Sequence, residues 1–137
     1  MPKAKIKAVL DTNVLLSGIL FGGIPSKLLD LWCRGVFALA MSPELLAELI
    51  SKLRFKFDFP ADLICEWEQL FSEKTIHVLP DYTTKVCRDP DDDKFLDVSL
   101  AAKSTYLVTG DEDLLCLKRY QNVRILKPTE FLAILRK

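Results

Sequence analysis

The chain has 137 residues, half of them hydrophobic, with 19 basic and 19 acidic side chains. That is the size of one ordinary domain with enough apolar residues to bury a core unaided, and residues 1–137 read as a single domain. Zero net charge excludes a strong global field toward nucleic acid or membrane, so any polyanion must meet a local patch.

Met1–Lys7 is basic, but Asp11 and Asn13 break the apolar run behind it, so no signal peptide is expected. The apolar runs are too short to span a bilayer, and a soluble, cytoplasmic protein with no membrane partner is expected. Cys33, Cys65, Cys87 and Cys116 lack the spacing of a zinc finger or a redox pair. They read as reduced, mostly buried thiols.

In chain order, Ile6–Leu10 is a short apolar run that ends abruptly in Asp-Thr-Asn, a buried strand leading into a helix start. Pro25 opens an amphipathic helix carrying Leu28, Leu29, Leu31 and Trp32, and Val36–Ala40 is a second strand. Ser42 is placed as an N-cap, with Pro43 at the first helical position and Leu45, Leu46, Leu49, Ile50 and Leu53 at helical spacing. Ala61–Glu73 is another helix, Thr75–Leu79 a third strand, and Asp81–Pro90 a loop. Asp92–Lys103 is helical, Tyr106–Thr109 a strand that runs into Gly-Asp, and Asp111–Leu117 a short helix. Val123–Leu126 is the last strand, and Pro128 opens a closing helix through Leu135. Short, apolar, non-alternating strands between helices predict an α/β protein with a parallel sheet covered on both faces. In such sheets the working site lies beyond the carboxyl ends of the strands.

The acids fall where that rule needs them. Asp11 ends the first strand, and Asp111 follows the Leu107–Thr109 strand with Asp113 two residues on. Glu48 lies inside a helix beside an apolar stripe, an unusual place for an acid. Asp93 and Asp97 are four apart and share a helix face. Clustered carboxylates raise one another's pKa or bind a cation, and an all-oxygen set suits Mg²⁺ or Mn²⁺. With one histidine, His77, a zinc site is not expected. Metal ions held this way activate water and clamp a scissile phosphodiester. Plainer roles exist for each acid. Asp11 and Asp111 suit N-caps, Asp91 and Asp92 a solvated acidic turn, and Glu48 an ion pair with Lys52 at i+4.

Taken as an ordered set, Val9-Leu10-Asp11-Thr12-Asn13, the helix with Glu48, Asp89-Pro90-Asp91-Asp92-Asp93-Lys94-Phe95-Leu96 and Leu107-Val108-Thr109-Gly110-Asp111-Glu112-Asp113-Leu114 resemble the PIN domain. The similarity runs from about Ile6 to Leu135 and is greatest toward the toxin branch of toxin–antitoxin pairs. The resemblance implies a three-layer α/β/α sandwich with a short parallel central sheet and a Mg²⁺- or Mn²⁺-dependent endoribonuclease. It further implies Asp11, Glu48, Asp93 and Asp111 as the catalytic and metal-binding quartet, with Asp113 as an extra acid. Thr12, Asn13 and Thr109 would orient the acids, and the role of Asp97 is open. A homodimer and a cognate antitoxin protein are implied as well.

Lys52, Arg54 and Lys56, after Glu48, are candidate RNA phosphate contacts, as are Lys3, Lys5 and Lys7. Phe55, Phe57 and Phe59 are candidates for base stacking, for a partner's anchor or for the core. Three other readings compete. A haloacid-dehalogenase-type phosphatase needs an Asp where Asn13 stands; a receiver-type signalling domain would use Asp81 after the third strand; an inactive PIN-like binding module needs no catalysis at all.

Overall fold

The computed structural model describes residues 6–137. The first strand is β1 (Lys7–Leu10), followed by α1 (Thr12–Leu20), α2 (Gly23–Cys33), β2 (Ala38–Met41) and α3 (Pro43–Ser51). A π-helical turn, Lys52–Lys56, extends α3. Then come α4 (Ala61–Lys74), β3 (Thr75–His77), α5 (Pro90–Ala101), β4 (Tyr106–Val108) and α6 (Glu112–Leu115). The chain closes with β5 (Arg119–Tyr120), β6 (Val123–Leu126) and α7 (Pro128–Leu135).

Six strands form one sheet in the order β3-β2-β1-β4-β6-β5. All neighbours are parallel except β5, which runs antiparallel to β6. The expected α/β/α sandwich is thus present with one addition at its edge. With only two residues, β5 carries no periodicity by which a sequence could announce it. The chain fills one side of β1 with β2 and β3, then crosses to the other side with β4 and β6. Between β1 and β4 the winding reverses, which is where doubly wound sheets open a crevice.

Central strands are buried on both faces: Ala8, Val9, Leu107 and Val108 are fully buried. Helix α5 packs against β1, β2, β4 and β6. At Gly18 a Cβ would come within 2.7 Å of the Leu29 side chain and 2.9 Å of the Pro25 carbonyl, so only glycine lets α1 lie this close to α2. Gly22 and Gly23 make the turn between these helices at φ of +80° and +70°. Trp32 stacks on Phe71 at 5.0 Å between ring centres, joining α2 to α4.

Several boundaries differ from expectation. The second strand starts at Ala38, because Val36 turns back to donate its N–H to Leu31. The third strand ends at His77, and Leu79 is exposed. Helix α5 begins at Pro90, capped by Asp89, two residues before the expected start at Asp92, so Asp91 joins Asp92 and Asp93 in its first turn. All four cysteines are free, but Cys65 and Cys116 are exposed and the other two only half-buried, against the expectation of buried thiols. Lys3 and Lys5 lie outside the described residues. No single helix among the described residues is long and apolar enough to cross a membrane.

Candidate functional site

Where β1 and β4 end side by side, Leu10 pairs with Val108, which puts Asp11 level with Thr109. Asp11 donates its N–H to the Val108 carbonyl (3.0 Å) and caps α1, accepting from the Val14 N–H at 2.8 Å. Its other oxygen accepts from the Thr109 hydroxyl. Thr109 in turn accepts from the Asp111 N–H at 3.0 Å, and Asp111 caps α6 by accepting from the Asp113 N–H at 2.8 Å. Capping and site-building are therefore the same act here: the hydrogen bonds that start each helix aim the carboxylates past the sheet.

Asp11, Asp111, Asp92, Asp89 and Asp91 line a polar pocket of about 220 Å³ together with Glu48, Lys52 and Lys94, with Thr12, Asn13 and Phe95 beside them. Asp92, Asp111 and Asp113 each present an oxygen, all three within 4.8 Å of one another. One carboxylate oxygen of Asp92 is buried with no hydrogen-bond partner. Burial raises the Asp92 carboxyl from its ordinary 3.8 to about 6, and Asp111, Asp89, Asp113 and Asp11 add to the rise by repulsion. Burial also raises Asp11, against the Thr109 and Val14 hydrogen bonds that favour its charged form. A carboxylate with a buried, unpartnered oxygen, clustered with two other acids, is what a hard divalent cation satisfies, so the donor set fits Mg²⁺ or Mn²⁺.

Of the expected quartet, Asp11, Glu48 and Asp111 meet in this pocket. Asp93 does not. Its carboxylate accepts from the Val86 and Cys87 N–H groups at 3.1 and 2.8 Å and lines a neighbouring cleft of about 640 Å³. Asp92 takes the place assigned to Asp93, because consecutive helix residues point about 100° apart. This also overturns the reading of Asp92 as a solvated turn residue: its exposure is 9 %. The sequence does hold a signal. Asp92 is three and four residues before the buried Phe95 and Leu96, so it shares their face toward the sheet. Asp97 shares the face of Asp93 and accepts from the Thr84 N–H at 3.1 Å and from its hydroxyl.

Glu48 reaches the pocket, but both its oxygens are taken. Lys94 donates to Oε2, and Lys52 lies 3.3 Å from Oε1. Burial works to raise the Glu48 carboxyl, yet the lysines outweigh it and hold it below its ordinary value. The pairing with Lys52 was foreseeable at i+4, whereas Lys94 comes from another helix. Thr12 and Thr109 are buried beside the acids, and Asn13 is exposed at the rim. Arg54, Phe55 and Lys56 are exposed on the π-helical turn, one step beyond Lys52, while Phe57 and Phe59 pack partly into the core. Burial and then Asp93 push the Cys87 thiol up to about 12, away from thiolate character.

The rival architectures fail on geometry. With β3 at the far edge and β2 between it and β1, an acid after the third strand cannot stand beside Asp11. Asp81 is exposed there, which removes the receiver-type arrangement. Both oxygens of Asp11 are engaged and the residue is 4 % exposed, a poor setting for a nucleophile that must bond to phosphorus.

The structure defines a doubly wound α/β/α protein with a carboxylate cluster at the switch point beyond its strand ends. Residues 7–113 match the model of the PIN domain family, and the chain belongs to that family. It is also 36 % identical over 141 aligned positions to the uncharacterized protein MJ1680 of Methanocaldococcus jannaschii, covering 94 % of this chain and 90 % of the relative. PIN domains are usually nucleases and generally use divalent metals.

Proposed function

We propose that this protein is a Mg²⁺- or Mn²⁺-dependent endoribonuclease. The observation that carries it is the convergence of Asp92, Asp111 and Asp113 to within 4.8 Å of one another, in a pocket shared with Asp11, where one Asp92 oxygen is buried without a partner. Asp92, Asp111 and Asp113 would hold the ion, with Asp11 as the buried neighbour that completes the negative field. When bound, the ion lowers the pKa of a water and stabilises charge on the phosphate. Thr109 fixes Asp11 and the Asp111 backbone, so the acids are set before substrate arrives. Lys52, anchored on Glu48, presents positive charge at the pocket wall. Arg54 and Lys56 continue that charge outward, and the 79 % exposed Phe55 between them offers a face on which an unpaired base can stack.

The toxin role, a cognate antitoxin that covers the acid pocket and a homodimer follow from the motif resemblance and stand with this proposal. A polypeptide inhibitor would need basic side chains to enter so acidic a pocket.

The test is cleavage of end-labelled single-stranded RNA, and of DNA of the same sequence, by wild type and Asp11→Asn with Mn²⁺ or with EDTA. Wild type should cut RNA with Mn²⁺ only, and the variant should not. Equal cleavage by both, or cleavage in EDTA, would overturn the proposal.

A further inference from the structure

Glu48 stands in the acid pocket, yet its surroundings differ in kind from those of the other acids. Asp92, Asp111 and Asp113 face one another, and the cation beside them is the exposed Arg88 guanidinium, 3.7 Å from Asp113. Glu48 has an ammonium group on each oxygen, Lys94 on Oε2 and Lys52 on Oε1. The two lysines are not equivalent. Lys52 is an i,i+4 partner on the helical stretch that carries Glu48, with 34 % of its side chain exposed. Lys94 crosses from α5 and is only 15 % exposed. It follows Asp92 by two residues, so one helix turn supplies both a carboxylate of the cluster and the cation beside it.

A two-metal phosphodiester site sets two cations on either side of the reacting phosphate, each with its own carboxylates. Here Glu48 is already neutralised; of the other pocket acids outside the cluster, Asp11 has both oxygens hydrogen-bonded, Asp89 caps α5 and Asp91 is exposed. Displacing Lys94 would leave an ammonium group buried without its partner, a penalty that a second, weakly held ion must overcome. An ammonium group is moreover a compact point charge that binds phosphate oxygens directly.

We propose that this centre takes a single divalent cation, bound on the Asp92, Asp111 and Asp113 side, and that Lys94, held by Glu48, stands in for the second. The inference rests on the nuclease reading, and it adds that Lys94, in the lining of the same pocket, would supply the second positive charge to a bound phosphate.

Metal stoichiometry tests it without reference to activity. Mn²⁺ is titrated into the metal-stripped full chain and followed by calorimetry and by the electron paramagnetic resonance of free Mn²⁺. Wild type should bind one ion per chain. Lys94→Met frees Oε2 of Glu48, leaving only the more exposed Lys52 on Oε1, and should bind two, and adding Glu48→Gln to that variant should return the count to one. Lys94→Arg keeps the charge and should bind one. Two ions in wild type, or one in Lys94→Met, would overturn the proposal. Wild type alone decides the count if Lys94→Met does not fold. Failure of wild type to bind any Mn²⁺ would instead remove the nuclease reading itself, and this inference with it.

Discussion

The acid pocket and the larger cleft lie on either side of the first turns of α5, and both are lined by buried aspartates. In the cleft, the two buried aspartates have donors from the protein: Asp93 takes two backbone N–H groups and Asp97 takes the N–H and hydroxyl of Thr84. In the pocket, Asp92 has a buried oxygen with none. The same residue type therefore does opposite work within a single helix turn. Satisfied carboxylates pin the loop before α5 and need no ion, whereas the unsatisfied one repels its neighbours until a cation arrives. A count of acids does not locate a metal centre; an account of their hydrogen-bond donors does.

Neutralising each aspartate in turn is the sharpest way to break this contrast. Asp92→Asn should lower RNA cleavage by more than the roughly ten- to hundredfold typical of an outer-shell partner, and should weaken Mn²⁺ binding in parallel. Removing a repelling charge should also raise the melting temperature of the metal-free protein. Asp93→Asn should do the reverse: it keeps the Mn²⁺ stoichiometry but loses about 1–3 kcal/mol of stability in urea, because the Val86 and Cys87 N–H groups lose a charged acceptor. If Asp93→Asn abolishes metal binding and Asp92→Asn does not, the assignment of the two faces is wrong.

A smaller effect should appear with pH. The folded-state pKa of Asp92 is raised to about 6 from 3.8, so between those values the folded protein binds more protons than the unfolded one. Its contribution to stability is complete below about 4 and is lost as pH rises through about 6; the raised Asp11 acts in the same direction. Melting of the metal-free protein should thus fall across that window. Mg²⁺ should reverse the loss above about 6, where the carboxylates are free to bind it. Asp92→Asn should flatten the slope, and an unchanged slope would show that other groups set it.

The strand ends were the most legible part of the chain. An apolar run stopped by Asp-Thr-Asn and another stopped by Thr-Gly-Asp leave few alternatives to a strand delivering an acid to one rim, and Asp11 and Asp111 stand there. Which of three successive aspartates joins them was not legible by motif, since the answer depends on a rotation of about 100° per residue around α5. Burial of Phe95 and Leu96 fixes that rotation, and only the packed core makes it plain. Lys94 was missed for a different reason. Its partner is 46 residues away, and local spacing reveals pairs within a helix but not between helices. Strand order lies at the same remove: the alternation of elements predicted the layers, but the placing of β3 at the edge follows from the crossover after it.

Thr109 carries one more consequence. Its hydroxyl joins Asp11 to the start of α6 across 98 positions of sequence, and β1 has β4 as its neighbour. A chain still being made at the ribosome has no β4 to offer until most of its length has emerged. Long-range pairing of this kind is a slow step in folding. The acids therefore stay scattered along the young polypeptide until it is nearly whole, and the site cannot assemble before then.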